Sequence, residues 1–443
     1  MNVVWNIWQM RRDAVYIKSL SLKNYRCYEE INVELNPEYT VLIGANGAGK
    51  STLLDGLATA LGSYIAGFDG IPSNGILQDD VHRKMYELGS RIDPEPQYPV
   101  EIKATCVVDG KKDISWTRSL HGREGRTHIR EAKDIMNYAA KLQEKVRAGD
   151  RETILPVIAY YGTGRLYVQR RQKRNAGEST RFTRTTGYLD SLASVSNDKL
   201  MMRWFEQMTL MQMQEEIRVP ELEVVKYAMG KCFAGTDGTT RTAKFEYKVK
   251  TQEIEILYEK NGQKEKLPMR MLSDGLRITI SMVADIAYRM AVLNPQLLNH
   301  ILEETPGVVL IDEVDMHLHP EWQRRIVADL HYIFPKVQFI VTTHSPSVLA
   351  NVKKEHILLM EEGNVFSPSN ATYGRDISAI MQEMLKVEVR PKEVLMIRDD
   401  FYRMLSQENY SRANELLEKM KDILGENDAD VVQACVSYDL EQI

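Results

Sequence analysis

Gly44-Ala45-Asn46-Gly47-Ala48-Gly49-Lys50-Ser51 is the stretch on which the reading of this chain turns. It matches G-x-x-x-x-G-K-[ST], and Thr52 follows it. Glycines in such a loop let successive backbone N–H groups curl around phosphate oxygens. The lysine then reaches the β and γ oxygens, and the serine hydroxyl ligates Mg²⁺. The flanks suit the motif: Thr40–Ile43 reads as a short buried strand, and a helix is expected from about Lys50 to Leu61. Gly44, Asn46, Gly47, Ala48, Gly49, Lys50, Ser51 and Thr52 are therefore the expected phosphate-binding residues, with ATP and Mg²⁺ as the ligands.

Further along, Val308-Val309-Leu310-Ile311-Asp312-Glu313 is an apolar run ending in two acids. Alone, such a run is a strand with a solvated end. Downstream of a phosphate loop it fits a Walker B strand, with Asp312 holding Mg²⁺ through water and Glu313 orienting and deprotonating the attacking water.

Leu272-Ser273-Asp274-Gly275-Leu276 precedes a helical pattern, and Thr342-Thr343-His344-Ser345 follows the second buried strand, Phe339–Val341. In that order these segments resemble the signature (LSGGQ), Walker B and H-loop of ABC-type ATPases. The resemblance implies that Ser273, Asp274 and Gly275 meet the γ-phosphate of ATP held by an opposing subunit, while His344 contacts it in cis. A helix start with free N–H groups suits an anion. Taken singly, Ser273 reads as a helix N-cap and His344 as a structural histidine. Asp274 stands where the family has glycine. A carboxylate there repels phosphate unless it turns away or pairs with a cation such as Arg277, so slow or gated hydrolysis is expected.

The span from Lys50 to Asp312 is too long for a plain transporter ATPase. Leu20-x-Leu22-Lys23-Asn24-Tyr25-Arg26 resembles the opening of SMC/RecF-type ATPases. Val314-Asp315-Met316-His317-Leu318-His319-Pro320 is similar to the D-loop region of RecF-like and OLD-like ATPases, which implies that Asp315 shapes a dimer interface. His317 and His319 lack the further ligands a metal site needs. Residues 155–163 with Arg165, Arg184-x-x-Gly187-Tyr188 with Trp204, Tyr373-Gly374-Arg375-Asp376 and Arg390-Pro391 resemble the family containing PtuA, the ATPase of Septu and retron-linked antiphage systems. That resemblance implies a regulatory ATPase paired with a separate HNH nuclease (PtuB-like). A RecF-like DNA-repair ATPase is the alternative.

The expected architecture is α/β: an ABC-type P-loop ATPase head with an antiparallel β subdomain, a helical insertion and a helical C-terminal tail. Its expected divisions are residues 1–125 (Walker A lobe), 126–240 (mostly helical insertion), 241–365 (signature, Walker B and H-loop) and 366–443 (tail). Residues 165–184 carry Arg165, Arg170, Arg171, Lys173, Arg174, Arg181 and Arg184 against Glu178. This loop reads as a phosphate contact for nucleic acid, a dock for an acidic partner, or a solvated face. Gln78 lies where a Q-loop would fall, or in an exposed turn.

With 443 residues, a net charge of −5 and 27% charged residues, the chain has no global field for nucleic acid. Four scattered cysteines and no CxxC pair point to a reducing cytoplasm. No apolar run is long enough to cross a bilayer, and the N-terminus lacks a signal-peptide pattern. The tail offers no TOPRIM strand, Asp399-Asp400 sits in a helical pattern, and no HNH signature occurs. An ATPase without a nuclease of its own, assembling as a homo-oligomer built from dimers, is the expectation.

Overall fold

The computed structural model of the chain describes residues 15–88, 91–110, 112–166, 182–193, 198–235, 243–260 and 263–441. These fall into two compact units, 1–375 and 376–443.

The first unit is built on two sheets. Strands β1 (Tyr16–Tyr25), β2 (Tyr28–Glu34), β6 (Val100–Val108) and β7 (Lys112–Leu120) form an antiparallel sheet in the order β2-β1-β6-β7. Asp109 and Gly110 both take positive φ, 51° and 66°, which is what a tight β6–β7 turn asks of them. Between β2 and β6 lie β3 (Tyr39–Gly44) and a hairpin of β4 (Arg83–Leu88) with β5 (Arg91–Pro96).

β3 belongs to the second, six-stranded sheet. Its other members are β8 (Val157–Tyr161), β12 (Gly307–Ile311), β13 (Val337–Thr342), β14 (Ile357–Glu361) and β15 (Asn364–Phe366), in the order β15-β14-β3-β13-β12-β8. All its pairings are parallel except β14–β15. β8, β12 and β13 are buried at every residue, so continuous apolar runs replace alternation, as in sheets covered on both faces. Buried Gln338 of β13 ties the two sheets together. Its Oε1 accepts from Ile17 N–H (2.8 Å), and its Nε2 donates to Ile17 O (2.9 Å) and Asn36 O (2.8 Å).

Three strands, β9 (Ala243–Lys248), β10 (Glu253–Lys260) and β11 (Gln263–Pro268), form a meander. Helix Pro220–Ala234 packs on β9 and on the long helix Asp274–Leu293. That long helix is locked to β8 by a buried network. Tyr161 Oη donates to Asp285 (2.7 Å), Arg289 Nε donates to the same carboxylate (2.8 Å), and Arg289 reaches the carbonyls of Gly187 and Leu189.

One boundary differs from the sequence reading, and the expected mostly helical stretch 126–240 also holds a strand: β8 lies inside it and pairs with β12 in the main sheet. An apolar run buried on both faces has no alternation to mark it as a strand, and β8 lacks the motif that follows β12 and β13. Residues 366–375 stay with the first unit rather than the tail: Thr372 Oγ1 donates to Val352 O and Gly374 N–H to Ala350 O. The α/β class with its antiparallel subdomain and helical tail is as expected.

The second unit is helical: Ile377–Glu383, Lys392–Ser406, Tyr410–Leu424 and Ala429–Leu440. Its core takes Ile397, Phe401 and Leu405 from one helix, Ala413, Leu417 and Met420 from the next, and Val431 and Ala434 from the last. These recur at the three- and four-residue spacing of one helix face. Arg390 braces the start of the last helix, pairing with Asp428 and Asp430 at 2.7 Å each. No helix among the described residues is long and apolar enough to cross a membrane.

Candidate nucleotide site

The phosphate loop leaves β3 at Gly44 and enters helix Lys50–Ile65, with Gly49 as its N-cap at φ 94°. That conformation favours glycine, and space demands it too. A Cβ on Gly49 would stand 2.1 Å from Tyr28 Oη and 2.9 Å from Cys27 Sγ. Tyr28, buried beneath the loop, donates to Ala48 O at 3.2 Å. Lys50 Nζ donates to Gly44 O and Ala45 O, both at 3.0 Å, so the ammonium braces its own loop. Burial lowers its pKa, and the nearby Asp312 and Glu313 partly offset that.

A cleft of about 460 Å³ opens beside the loop. Cys27, Asn46, Gly47, Gly49, Lys50, Ser51 and Thr52 line one side, and Asp312, Glu313, Thr342 and His344 the other. Because β3, β13 and β12 are adjacent in the sheet, the glycine-rich loop, the loop carrying His344 and the acidic pair leave from neighbouring strand ends. Ligands of open parallel sheets bind there. Asp312 is buried and Ser51 exposed, a pair suited to a cation shared with phosphate oxygens. Glu313 adopts φ 49°, a left-handed conformation unusual for a glutamate and concentrated at functional sites. His344 is partly buried. Desolvation lowers its pKa first and Lys50 adds to that, against Glu313, Asp315 and Asp312, so the imidazole is neutral near pH 7.

The other candidates fall elsewhere. Ser273 is the N-cap residue of helix Asp274–Leu293, but its side chain makes no capping hydrogen bond and is exposed. Asp274 pairs with Arg277 at 2.7 Å, both in solvent. Such exposed pairs contribute roughly 0–1 kcal/mol and are easily exchanged. Gly275 packs on the backbone of His317. None of Ser273, Asp274, Gly275 and Asp315 lines the cleft of its own chain. Asp315 accepts from Thr343 Oγ1 at 2.5 Å.

Gln78 is tied to Tyr98 Oη (2.8 Å) and Gly122 O (3.4 Å), away from the cleft. His319 Nδ1 accepts from Glu321 N–H at the start of helix Pro320–Ile333, and the described residues hold no group of three metal-ligating side chains.

The basic loop needs one correction. Arg184 is not free for phosphate: it donates to Leu293 O, Thr153 O and Asn294 Oδ1. Its guanidinium satisfies carbonyls at a helix end, which charge counting does not reveal. Arg170, Arg171, Lys173, Arg174 and Arg181 lie outside the described residues, as does the side chain of Arg165.

Sequence reasoning passed over two cleft residues, Cys27 and Thr342. Thr342 stood in the quoted Thr-Thr-His-Ser run, but only its strand-end position signals a role.

Comparison with known proteins gives the family. The chain is 25% identical to the Retron Ec83 probable ATPase of Escherichia coli, over 90% of this chain and 80% of that protein. It is also 25% identical to the Septu protein PtuA of Bacillus thuringiensis, over 91% and 93%. A shorter stretch, 30% of this chain and 32% of the other, is 28% identical to the DNA replication and repair protein RecF of Brucella abortus. The profile of the AAA domain family AAA_23 matches residues 19–267, more than half of the chain. The protein binds nucleotide as an ATP hydrolase and belongs to this AAA domain family.

Proposed function

We propose that this ATPase is the regulatory subunit of an antiphage defence system, hydrolysing ATP at a composite interface between two copies and controlling a separate HNH nuclease. The observation that carries the two-copy reading is the division of the site. The cleft holds a phosphate loop, acids and a histidine, while Ser273 lies outside it, exposed on a helix start whose N–H groups suit a phosphate. In this reading Lys50 holds the β and γ oxygens, Ser51 and Asp312 hold Mg²⁺, Glu313 activates water and His344 donates to the γ-phosphate. Ser273, Asp274, Gly275 and Asp315 serve the partner's nucleotide. The Asp274–Arg277 pair must give way when phosphate arrives, which favours switching over fast turnover. Relatives named as a retron ATPase and a Septu protein, matched over most of the chain, support the defence role. Four free thiols suit a reducing cytoplasm.

Glu313→Gln should retain ATP and hold the dimer closed. Light scattering with ATP tests this: a monomer at saturating nucleotide refutes the composite site, and normal hydrolysis refutes the base. Affinity capture from the native host followed by mass spectrometry should recover an HNH nuclease. Tight ATP-dependent binding to gapped duplex DNA, with no nuclease recovered, would favour the RecF-like alternative.

A further inference from the structure

β13 ends at Thr342 and Thr343 follows it, and the hydroxyls of both are committed. Thr342, fully buried, donates from Oγ1 to Asp312 Oδ1 at 2.6 Å and accepts on the same oxygen from Glu313 N–H at 2.7 Å. Its carbonyl accepts from Val314 N–H at 2.9 Å. Thr343, also fully buried, donates from Oγ1 to Asp315 and accepts from Ser345 N–H at 2.9 Å. Ser345 Oγ in turn donates to Gln323 Oε1 at 2.7 Å.

Two facts make these contacts more than packing. Glu313 sits at φ 49°, a conformation that persists only where its surroundings hold it, and its own N–H is the group Thr342 receives. Asp312, Glu313, Thr342 and His344 also line one cleft. A hydroxyl is needed at 342 because a single atom there must donate to a carboxylate and accept from an amide at once. Valine has the same shape and does neither.

We infer that Thr342 and Thr343 are positioning residues for ATP hydrolysis, clamping the turn that carries Asp312, Glu313 and Asp315 to the loop that carries His344. Thr342 sets the orientation of Glu313 toward the attacking water, and Thr343 fixes the turn on either side of His344. The inference rests on Glu313 being the base.

The test uses the full-length protein with four variants: Thr342→Val, Thr342→Ser, Thr343→Val and Glu313→Gln. Both kcat and the Kd for a non-hydrolysable ATP analogue are measured for each. Displacing reacting groups by a fraction of an ångström to one ångström, or removing a supporting hydrogen bond, costs about 10- to 100-fold in rate. Thr342→Val should lose that much kcat while the analogue's Kd stays within about threefold, and Thr342→Ser should restore kcat to within about threefold. Thr343→Val should show the same split, and it carries the test alone if Thr342→Val does not fold. Either valine variant folding with wild-type kcat overturns the clamp, as does Thr342→Ser being as impaired as valine. If Glu313→Gln hydrolyses normally, the base assignment has failed instead; if it is inactive while the valine variants are not, only the clamp has failed.

Discussion

Replacing Gly275 by alanine separates two physical expectations of opposite sign. Gly275 is the second residue of helix Asp274–Leu293 and has no positive φ. On propensity alone, Gly→Ala at such a position stabilises by about 0.4–1 kcal/mol. The tertiary structure demands the reverse. A Cβ built on Gly275 would lie 2.1 Å from His317 O, 2.6 Å from His317 C and 3.1 Å from Leu318 N. All three atoms are backbone, so no side chain can rotate away. An ordinary C···O contact needs about 3.3 Å, so the turn must retreat by roughly 1 Å. That turn is already constrained, with His317 at φ 58° and Leu318 N–H donating to Asp315 O at 3.1 Å. Overpacking of this kind costs about 1–3 kcal/mol. Because the displaced segment continues from Glu313, a shift of 1 Å should also lower kcat by on the order of 100-fold. Urea unfolding and steady-state ATPase assays on the purified variant measure both. A Gly275→Ala protein that is more stable than wild type, with unchanged kcat, would refute the packing of helix Asp274–Leu293 on this turn.

Three other outcomes are expected. If Lys50 holds the phosphates as proposed, Lys50→Ala removes a charge-assisted partner and should weaken nucleotide binding by about 10- to 100-fold in a fluorescent-analogue titration. Arg289→Met leaves Asp285 buried with only Tyr161 as a described donor, and should cost about 3–5 kcal/mol in denaturant unfolding. His344 has a folded-state pKa below its ordinary value, so below about pH 6.5 the unfolded chain binds the proton more readily than the folded one. Its contribution to stability is whole above pH 6.5 and is lost as pH falls through the lowered value. His344→Gln should flatten the stability curve of the nucleotide-free protein in that window, and an unchanged slope would contradict the burial of the ring.

Much of the fold was legible because its signals are local. The phosphate loop needs glycines at set positions, the β6–β7 turn needs Asp109-Gly110, and the tail helices write their core at intervals of three and four residues. β8 was not legible as a strand: its partner β12 lies far along the chain, burial on both faces erases alternation, and unlike β12 and β13 it does not run into an acidic pair or a Thr-Thr-His-Ser run that would mark its end. Arg184 misled for a related reason: charge is visible in sequence, but the carbonyls that occupy it are not.

The candidate site divides the same way. By itself, the sequence determined which residue types are present and which of them are expected to meet phosphate, cation and water, because each sits in a short motif whose chemistry travels with its letters. Only the tertiary structure decided which of them meet. The order of β3, β13 and β12 brings the phosphate loop, His344 and the Asp312–Glu313 pair to one cleft, while Ser273 and Gly275 stay outside it. It also gave Thr342 a part that no motif carries. A hydroxyl acquires that part only when sheet pairing sets one strand's end beside another's, and pairing between residues 30 apart depends on the whole sheet rather than on either segment.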